Sequence, residues 1–397
     1  MSASLEQLVA QKKEAIEAVM DMMERGAEVL ASAVGEFLPL CEAAAPLLRL
    51  ALDNVQSKEV FCVKEQFLTV RKQMDVLSTQ LHDIDAELEK ARLDARYFSV
   101  EENIRNQFRK YMDILEAKPQ FREVKMRLFL EHFSKSGGDK NLHVLYSSMM
   151  GTGLFGESVL ELVDRYMAHN RRLLEDFCVR MKELFCLGLI ALLGNSALTQ
   201  GPAEEEDLIR EWSGRMEEVE AKMKDSIASC IAAFPEQAEE DSRRFLQESP
   251  EEEELQKVAE KLLQALLKKY DWVSWSVRVI KCSSSAYRSW RAGEHFHHIV
   301  GQSWFEVAPV KQLLLVVSYS SNPQRVPKES IQELMESQGR RASPPALVEL
   351  LTTHQESAHL VVHAISRHKD CAAAWSFSDD CHYWDRHKAG ALCVHSE

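Results

Sequence analysis

VFCVKEQFLTVRKQMDVLSTQLHDIDAEL, residues 60–88, is the stretch that decides the fold class. Its apolar residues Val60, Val63, Phe67, Val70, Met74, Leu77, Leu81, Ile84 and Leu88 recur at alternating steps of three and four. A helix with that spacing carries a narrow apolar seam, which it buries best against another long helix. Between the seam positions lie Lys64, Glu65, Arg71, Lys72, Asp75, Asp83 and Asp85, polar as solvent-facing positions should be. The pattern predicts coiled-coil-like packing and leaves open whether the partner helix lies in the same chain.

On the N-terminal side, Ser4 with Gln7 forms a capping box for a first helix, with Leu5, Leu8, Ile16, Val19 and Met23 at helical spacing. Pro39 and Pro46 interrupt the apolar stretch that follows. On the C-terminal side, Ser99 with Glu102 reads as a capping box opening a helix with Ile104, Phe108, Tyr111 and Leu115 on one face. Pro119 marks a break and Ser136–Lys140 a turn. A second long helix is expected over about 157–194, with Val163, Met167, Asn170, Leu174, Phe177, Met181 and Leu184 on its seam. Asn170 is then a polar seam residue able to set register. The two long helices are natural antiparallel partners in one bundle.

Gly201-Pro202 ends that helix and opens an acidic one. Ser249, Pro250 and Glu252 predict another helix start, with Leu255, Val258, Leu262, Leu266 and Tyr270 on one face and Glu251–Glu254 at its positive end. Beyond Tyr270 the pattern changes. Val273, Trp275, Val277 and Val279 alternate with polar residues as in a half-buried strand. Gln312–Tyr319 is continuously apolar at its centre, which suits a strand covered on both faces. Segments 359–365, 374–377 and 391–395 are further strands, and short helices start near Pro327 and at Pro344-Pro345. The fold class expected is α+β overall and mainly α. A long-helix bundle spans 1–200, acidic helices over 201–269 complete or extend it, and a small α/β domain with a mixed sheet spans 270–397.

The 397 residues are 45% apolar and 28% charged, enough for a sizeable core, and the net charge is −14. An acidic chain repels phosphate backbones, so no nucleic-acid partner is expected. Nine cysteines without a CxxC pair, and no glycosylation sequon, favour free thiols in a reducing cytoplasm. The opening MSASLEQLVAQKKEAIEAVM lacks the continuous apolar core of a signal peptide. Leu184–Gly194 is apolar but shorter than the roughly 20 residues a spanning helix needs, and 30–52 carries Glu36, Glu42, Arg49 and two prolines. Both read as core segments, with membrane insertion after a conformational change as the alternative.

No dinucleotide-binding, phosphate-loop, zinc-protease, nucleophile-elbow or EF-hand motif occurs, so no catalytic residue and no cofactor is assigned. His368, Cys371, Cys381, His382, His387, Cys393 and His395 crowd the C-terminus. A zinc site needs four close ligands, and the His368–Cys371 pair has no answering second pair, so no metal is expected. The run Glu294–His298 lacks a supporting ligand, and His359 with His363 reads as satisfied histidines. Cys62, Cys178 and Cys186 fall in helical patterns as small core residues. Arg340-Arg341-Ala342-Ser343-Pro344 places two arginines before a serine, as basophilic kinases favour, with Ser343 at a helix start. Ser343 is the candidate phosphorylation site, alongside the reading of an unmodified cap.

The run NRRLLEDFCVRMKELFCLGLIALLGNSALT, residues 170–199, resembles the rapunzel family of vertebrate proteins, abundant in fish. The opening SLEQLVAQKKEAIEAVMDMMERGAEVLASAVG, the segment YFSVEENIRNQFRKYMDI and the strand DWVSWSVRVI are similar to that family too. The resemblance implies a role in skeletal and fin growth without enzymatic activity. The helical half also resembles helical pore-forming toxins at the level of the fold. The expected function is a non-enzymatic cytoplasmic interaction or scaffold protein with an unidentified protein partner. The alternative is a membrane-active helical protein. The oligomeric state is left open.

Treatment with a basophilic kinase is expected to place one phosphate on Ser343. Its charge of about −2 meets the positive helix start and raises the melting temperature slightly. Mass spectrometry reads the site; an unmodified Ser343, or a lower melting temperature on modification, contradicts the reading.

Overall fold

A computed structural model describes residues 38–80 (without 54, 56 and 57), 95–250 (without 153–156) and 253–397, with 7, 12–14 and 17–18. Within the last range, 283–296, 311, 337–342, 355–358, 367–370 and 388–389 are not described. The chain divides into two compact units, Met1–Ala232 and Ala233–Glu397.

The first unit is all helical among its described residues: α1 (Leu38–Glu42), α2 (Ala44–Leu52), α3 (Lys58–Gln80), α4 (Ala95–Glu116), α5 (Pro119–Lys135), α6 (Lys140–Met150), α7 (Val159–Tyr166), α8 (Arg171–Thr199) and α9 (Pro202–Ala232). Proline stands at the first position of α5 and α9, where its missing N–H costs nothing, and Pro46 falls in the first turn of α2. Asn170 does not sit on a seam. It caps α8, its side chain accepting from the Leu173 N–H at 3.3 Å, and the expected single helix over 157–194 is broken between Tyr166 and Arg171. Ala168 and His169 adopt positive φ there, which no helix accommodates. Ser99 likewise lies inside α4, which already begins at Ala95.

Helix α8 is the axis of this unit. It is apolar all round from Leu184 to Gly194, and every residue there is buried, the situation of a core helix. Its principal neighbours are α4, α2, α9 and α1 rather than the helix over 58–80. In α3, Val63 and Phe67 are buried as the seam requires, while Leu81, Ile84 and Leu88 lie outside the described residues. Two glycines allow neighbours to approach α8 closely. A Cβ on Gly188 would stand 2.5 Å from the Leu142 side chain, and one on Gly194 2.5 Å from the Tyr111 ring.

The second unit comprises α10 (Phe234–Glu248), α11 (Leu255–Lys269), β1 (Ser274–Cys282), β2 (His297–Val300), β3 (Trp304–Val310), β4 (Leu313–Ser320), α12 (Lys328–Glu336), α13 (Pro344–His354), β5 (Leu360–Ser366), β6 (Cys371–Phe377), β7 (His382–His387) and β8 (Gly390–Ser396). One sheet has the order β3-β4-β1-β6 and the other β2-β5-β8-β7. Every ladder is antiparallel, where a single mixed sheet was expected. Alternation explains the layering. Trp275, Val277 and Val279 pack with Leu262 and Leu266 of α11, while Ile280, Leu314 and Val316 meet Ile365 of the other sheet. On that sheet Leu392 and Val394 pack with Leu347 and Leu351 of α13. The order is therefore helices, sheet, sheet, helices. Strand β4 is continuously apolar from Leu313 to Val317 because both its faces are covered there.

The block 201–269 is thereby divided. Helix α9 belongs to the first unit, and α10 and α11 cover a sheet of the second. Ser249 ends α10 instead of opening the next helix, because its hydroxyl donates back to the Phe245 carbonyl at 2.7 Å; α11 begins at Leu255.

Gly194→Ala is expected to destabilise the protein by about 1–3 kcal/mol, although alanine in a helix interior is normally worth about 1 kcal/mol over glycine. The Tyr111 ring cannot give way, since it is fully buried and its hydroxyl donates to the Ala44 carbonyl at 2.8 Å. Urea unfolding measures the difference, and a stabilised variant would show that Tyr111 is not held against α8.

Candidate functional site

Helix α5 has more apolar residues than its packing uses. Phe129 and Phe133 are buried, Phe129 meeting Tyr111 edge-on with ring centroids 6.4 Å apart, and Met126 and Leu130 are half-buried beside them. Phe121, Val124 and Leu128, spaced by three and four, form a second stripe, exposed by 52%, 46% and 45%. The cations beside it are partly committed. Arg122 donates to the carbonyls of Ala117 and Ala51, and Lys125 pairs with Asp113 at 3.1 Å. Arg127 is exposed. Single exposed apolar residues need no explanation, but three aligned on one helix face form an apolar stripe.

The buried half of the unit is organised by charge. Arg180 of α8 donates to both carboxylate oxygens of Glu101 on α4, at 2.9 and 2.8 Å. Arg105 joins the same Glu101 at 3.0 Å to Glu183 at 2.9 Å. Burial pushes the Glu183 carboxyl above its usual range, and Arg105 opposes the shift. Such a network is costly to break on one side, at about 3–5 kcal/mol, because the surviving charge stays buried. It fixes α8 to α4 one turn before the apolar run begins. No described helix is long and apolar enough to cross a membrane.

In the second unit the C-terminal histidines and cysteines go to different places. Cys393 and His395 enter the layer between the sheets. His395 accepts or donates through Nε2 to Ser274 Oγ at 3.1 Å and through Nδ1 to Ser318 Oγ at 3.2 Å. Arg278, 1% exposed, donates to Ser318 Oγ at 2.7 Å, the Val316 carbonyl at 3.4 Å and Cys393 Sγ at 3.6 Å; no carboxylate among the described residues pairs with it. Burial pulls the guanidinium below its ordinary range. Burial, then the nearby Arg278, pull His395 down to about 3 and His363 well below its usual value.

His363 is not the satisfied histidine expected. Both its ring nitrogens lack a hydrogen-bond partner, which a neutral ring packed against His297 at 5.3 Å tolerates better than a charged one. His359 is exposed, so the two do not form a site. Cys381 is half-buried, with its N–H on Asp379, and His382 stacks on Phe377 at 3.6 Å. Cys371 opens β6 and His387 closes β7, while His368, Glu294 and His295 lie outside the described residues. Among the described residues no group of three or more His, Cys, Asp or Glu is placed to hold a metal. Ser343 is exposed directly before α13, and its carbonyl accepts from the Leu347 N–H at 3.0 Å; Arg340 and Arg341 are not described.

Residues 54–252 match the family model of the cephalotoxin-like middle helical domain. The chain is also 33% identical over 202 residues to protein rapunzel of Danio rerio, a match covering 51% of this chain and 88% of that protein. It belongs to the rapunzel family. No solved structure matches it. The toxin-like domain of this rapunzel-family chain takes in α4, α5 and α8, so the charge network and the exposed stripe both lie inside the matched body.

The stripe itself escaped the sequence reading, which treated Pro119 onward only as a break. Its signal is in the sequence: apolar residues at 121, 124 and 128 are surplus to the face formed by 126, 129, 130 and 133.

The depressed histidines make an acid-side prediction. The unfolded chain binds protons near pH 6.5 that folded His363 and His395 refuse, so stability is full above that pH and is lost as pH falls toward about 3. The slope is about 1.4 kcal/mol per pH unit for each histidine. Denaturant unfolding between about pH 7 and 5 should show it. His395→Asn should flatten it by one histidine's share, and an equal slope in the variant would mean that His395 is charged in the folded protein.

Proposed function

We propose that this rapunzel-family protein is a non-enzymatic interaction protein of the cytoplasm, whose helical body presents the α5 stripe to a protein partner. The observation that carries the reading is the pair of apolar faces on α5: one is consumed by packing, and Phe121, Val124 and Leu128 are left in water. Their apolar area favours association in proportion to the surface removed from water, at about 25 cal/mol per Å² before association costs. The absence of recognised catalytic motifs supports a contact role, and the family resemblance supports taking that role to be in skeletal and fin growth. Ser343, exposed at the start of α13, is the site where a kinase would regulate it.

A second reading is favoured by α8. A helix segment apolar on all sides, Leu184–Gly194, held inside a bundle that matches a cephalotoxin-like domain, suits a protein that releases apolar segments into a bilayer. The charges and the short apolar run make insertion costly, so the contact role is the primary reading.

The triple variant Phe121→Ser, Val124→Ser, Leu128→Ser separates them. The expected result is an unchanged melting temperature together with loss of the partners that cross-link to the wild type through a photoreactive group at position 125. Unaltered cross-linking would remove the stripe from the mechanism. Dye leakage from anionic vesicles, equal for wild type and variant, would favour the membrane reading instead.

A further inference from the structure

Cys41 of α1 and Cys186 of α8 meet in the core of the first unit. Their Sγ atoms are 3.8 Å apart, and the Cys41 thiol also donates to the Cys186 carbonyl at 3.7 Å. A disulfide needs about 2.05 Å, so side-chain rotation must close about 1.8 Å. Both cysteines are 1% exposed, yet they are not sealed off. Cys41 lines a surface depression with Leu38, Glu42 and Trp212, and a second one that it shares with Cys186, Lys182 and Glu220. Both depressions open to the surface but hold only about 10 Å³, roughly one water, so only the smallest oxidants can approach the thiols from there.

We propose that Cys41 and Cys186 form a redox-modifiable dithiol, which hydrogen peroxide converts to a disulfide that ties α1 to α8. The chemistry balances in two steps. Cys41 sulfur attacks one peroxide oxygen, the O–O bond breaks, an S–O bond forms, and the first water leaves. Cys186 sulfur then attacks the Cys41 sulfenic acid, the S–O bond breaks, the S–S bond forms, and the second water leaves with the Cys186 proton. Two electrons pass from the thiols to the peroxide. The order follows from the site: Cys41 lines both depressions and Cys186 only one, so Cys41 meets the peroxide first and Cys186 is the resolving partner.

The location gives the bond a consequence. Helix α1 is followed at once by α2, whose Leu47, Leu48 and Leu50 lie in the core with Leu189, Ile190 and Leu193. The bridge closes a loop between positions 145 apart and holds the apolar segment Leu38–Leu52 on the apolar half of α8. This is independent of the α5 contact surface. It bears on whether these segments can separate.

The test uses the full chain, treated with hydrogen peroxide until the half-exposed Cys62 and Cys381 are oxidised. Unfolding in an alkylating agent, digestion without reduction and mass spectrometry then read the pairing. The expected result is a Cys41–Cys186 cross-linked peptide that disappears on reduction, with amide exchange across Leu38–Leu52 slowed by about tenfold or more. Cys186→Ser should abolish both, and the wild-type peptide map decides the matter even if that variant does not fold. Oxidised Cys62 and Cys381 beside alkylated Cys41 and Cys186 would overturn the proposal. So would Cys41 paired elsewhere or halted as a sulfinic acid. A bridge that leaves exchange across Leu38–Leu52 unchanged would overturn its restraining role.

Discussion

A helix surrounded by protein on every side must have each polar group it carries paired within the protein, because no water reaches it. The stretch 177–194 of α8 is under that constraint, and much of the first unit follows from it. Its apolar half meets the condition by carrying no charge from Leu184 to Gly194. Its first half carries Arg180 and Glu183, and these require Glu101 and Arg105 on the facing helix. The ion pairs therefore set the register of α4 against α8, and Gly194 then lets Tyr111 of α4 lie close to the helix surface. Whether the pairs add net stability is a separate matter, since a well-packed apolar substitute is often as good. Their contribution here is to make other registers costly.

The second unit meets the same constraint differently. The layer between its sheets holds a guanidinium that no carboxylate among the described residues pairs with, and a hydroxyl, a thiol and a carbonyl take its hydrogen bonds. Positive charge in that layer is expensive, so the neighbouring histidines stay neutral. Serines at 274, 276 and 318 supply the small polar partners on the inner strand faces, while the outer faces of the same strands are apolar against helices. What reads as a cysteine- and histidine-rich tail is, for Cys393 and His395, part of a hydrogen-bonded interior.

Membership of the rapunzel family fits this division of labour. The matched toxin-like region includes the helix whose stretch Phe177–Gly194 is buried all round and the helix with an unused apolar face. The first explains why the body is cohesive, and the second offers a surface. The dithiol between α1 and α8 lies where cohesion matters most, at the junction of the two apolar segments that would have to part before either could meet a lipid.

Sequence alone determined the class of the fold. Heptad spacing, proline positions and the change of pattern after Tyr270 announced long helices followed by an α/β region, because local periodicity reports which side of an element is dry. Strands β1, β4, β5, β6 and β8 were legible for that reason. Strands β3 and β7, with residues such as Glu306, Asp385 and Arg386, carry no continuous apolar signal. Tertiary structure decided the rest. Asn170 could serve a seam or a cap, and only the break after Tyr166 made it a cap. The apolar centre of β4 announced cover on both faces, but not that one cover is a second sheet, since burial looks the same whatever provides it. Long-range pairings such as Glu101 with Arg180, Arg278 with Cys393 and Cys41 with Cys186 have no local signature. They join residues far apart in sequence, and only the folded chain brings them within reach.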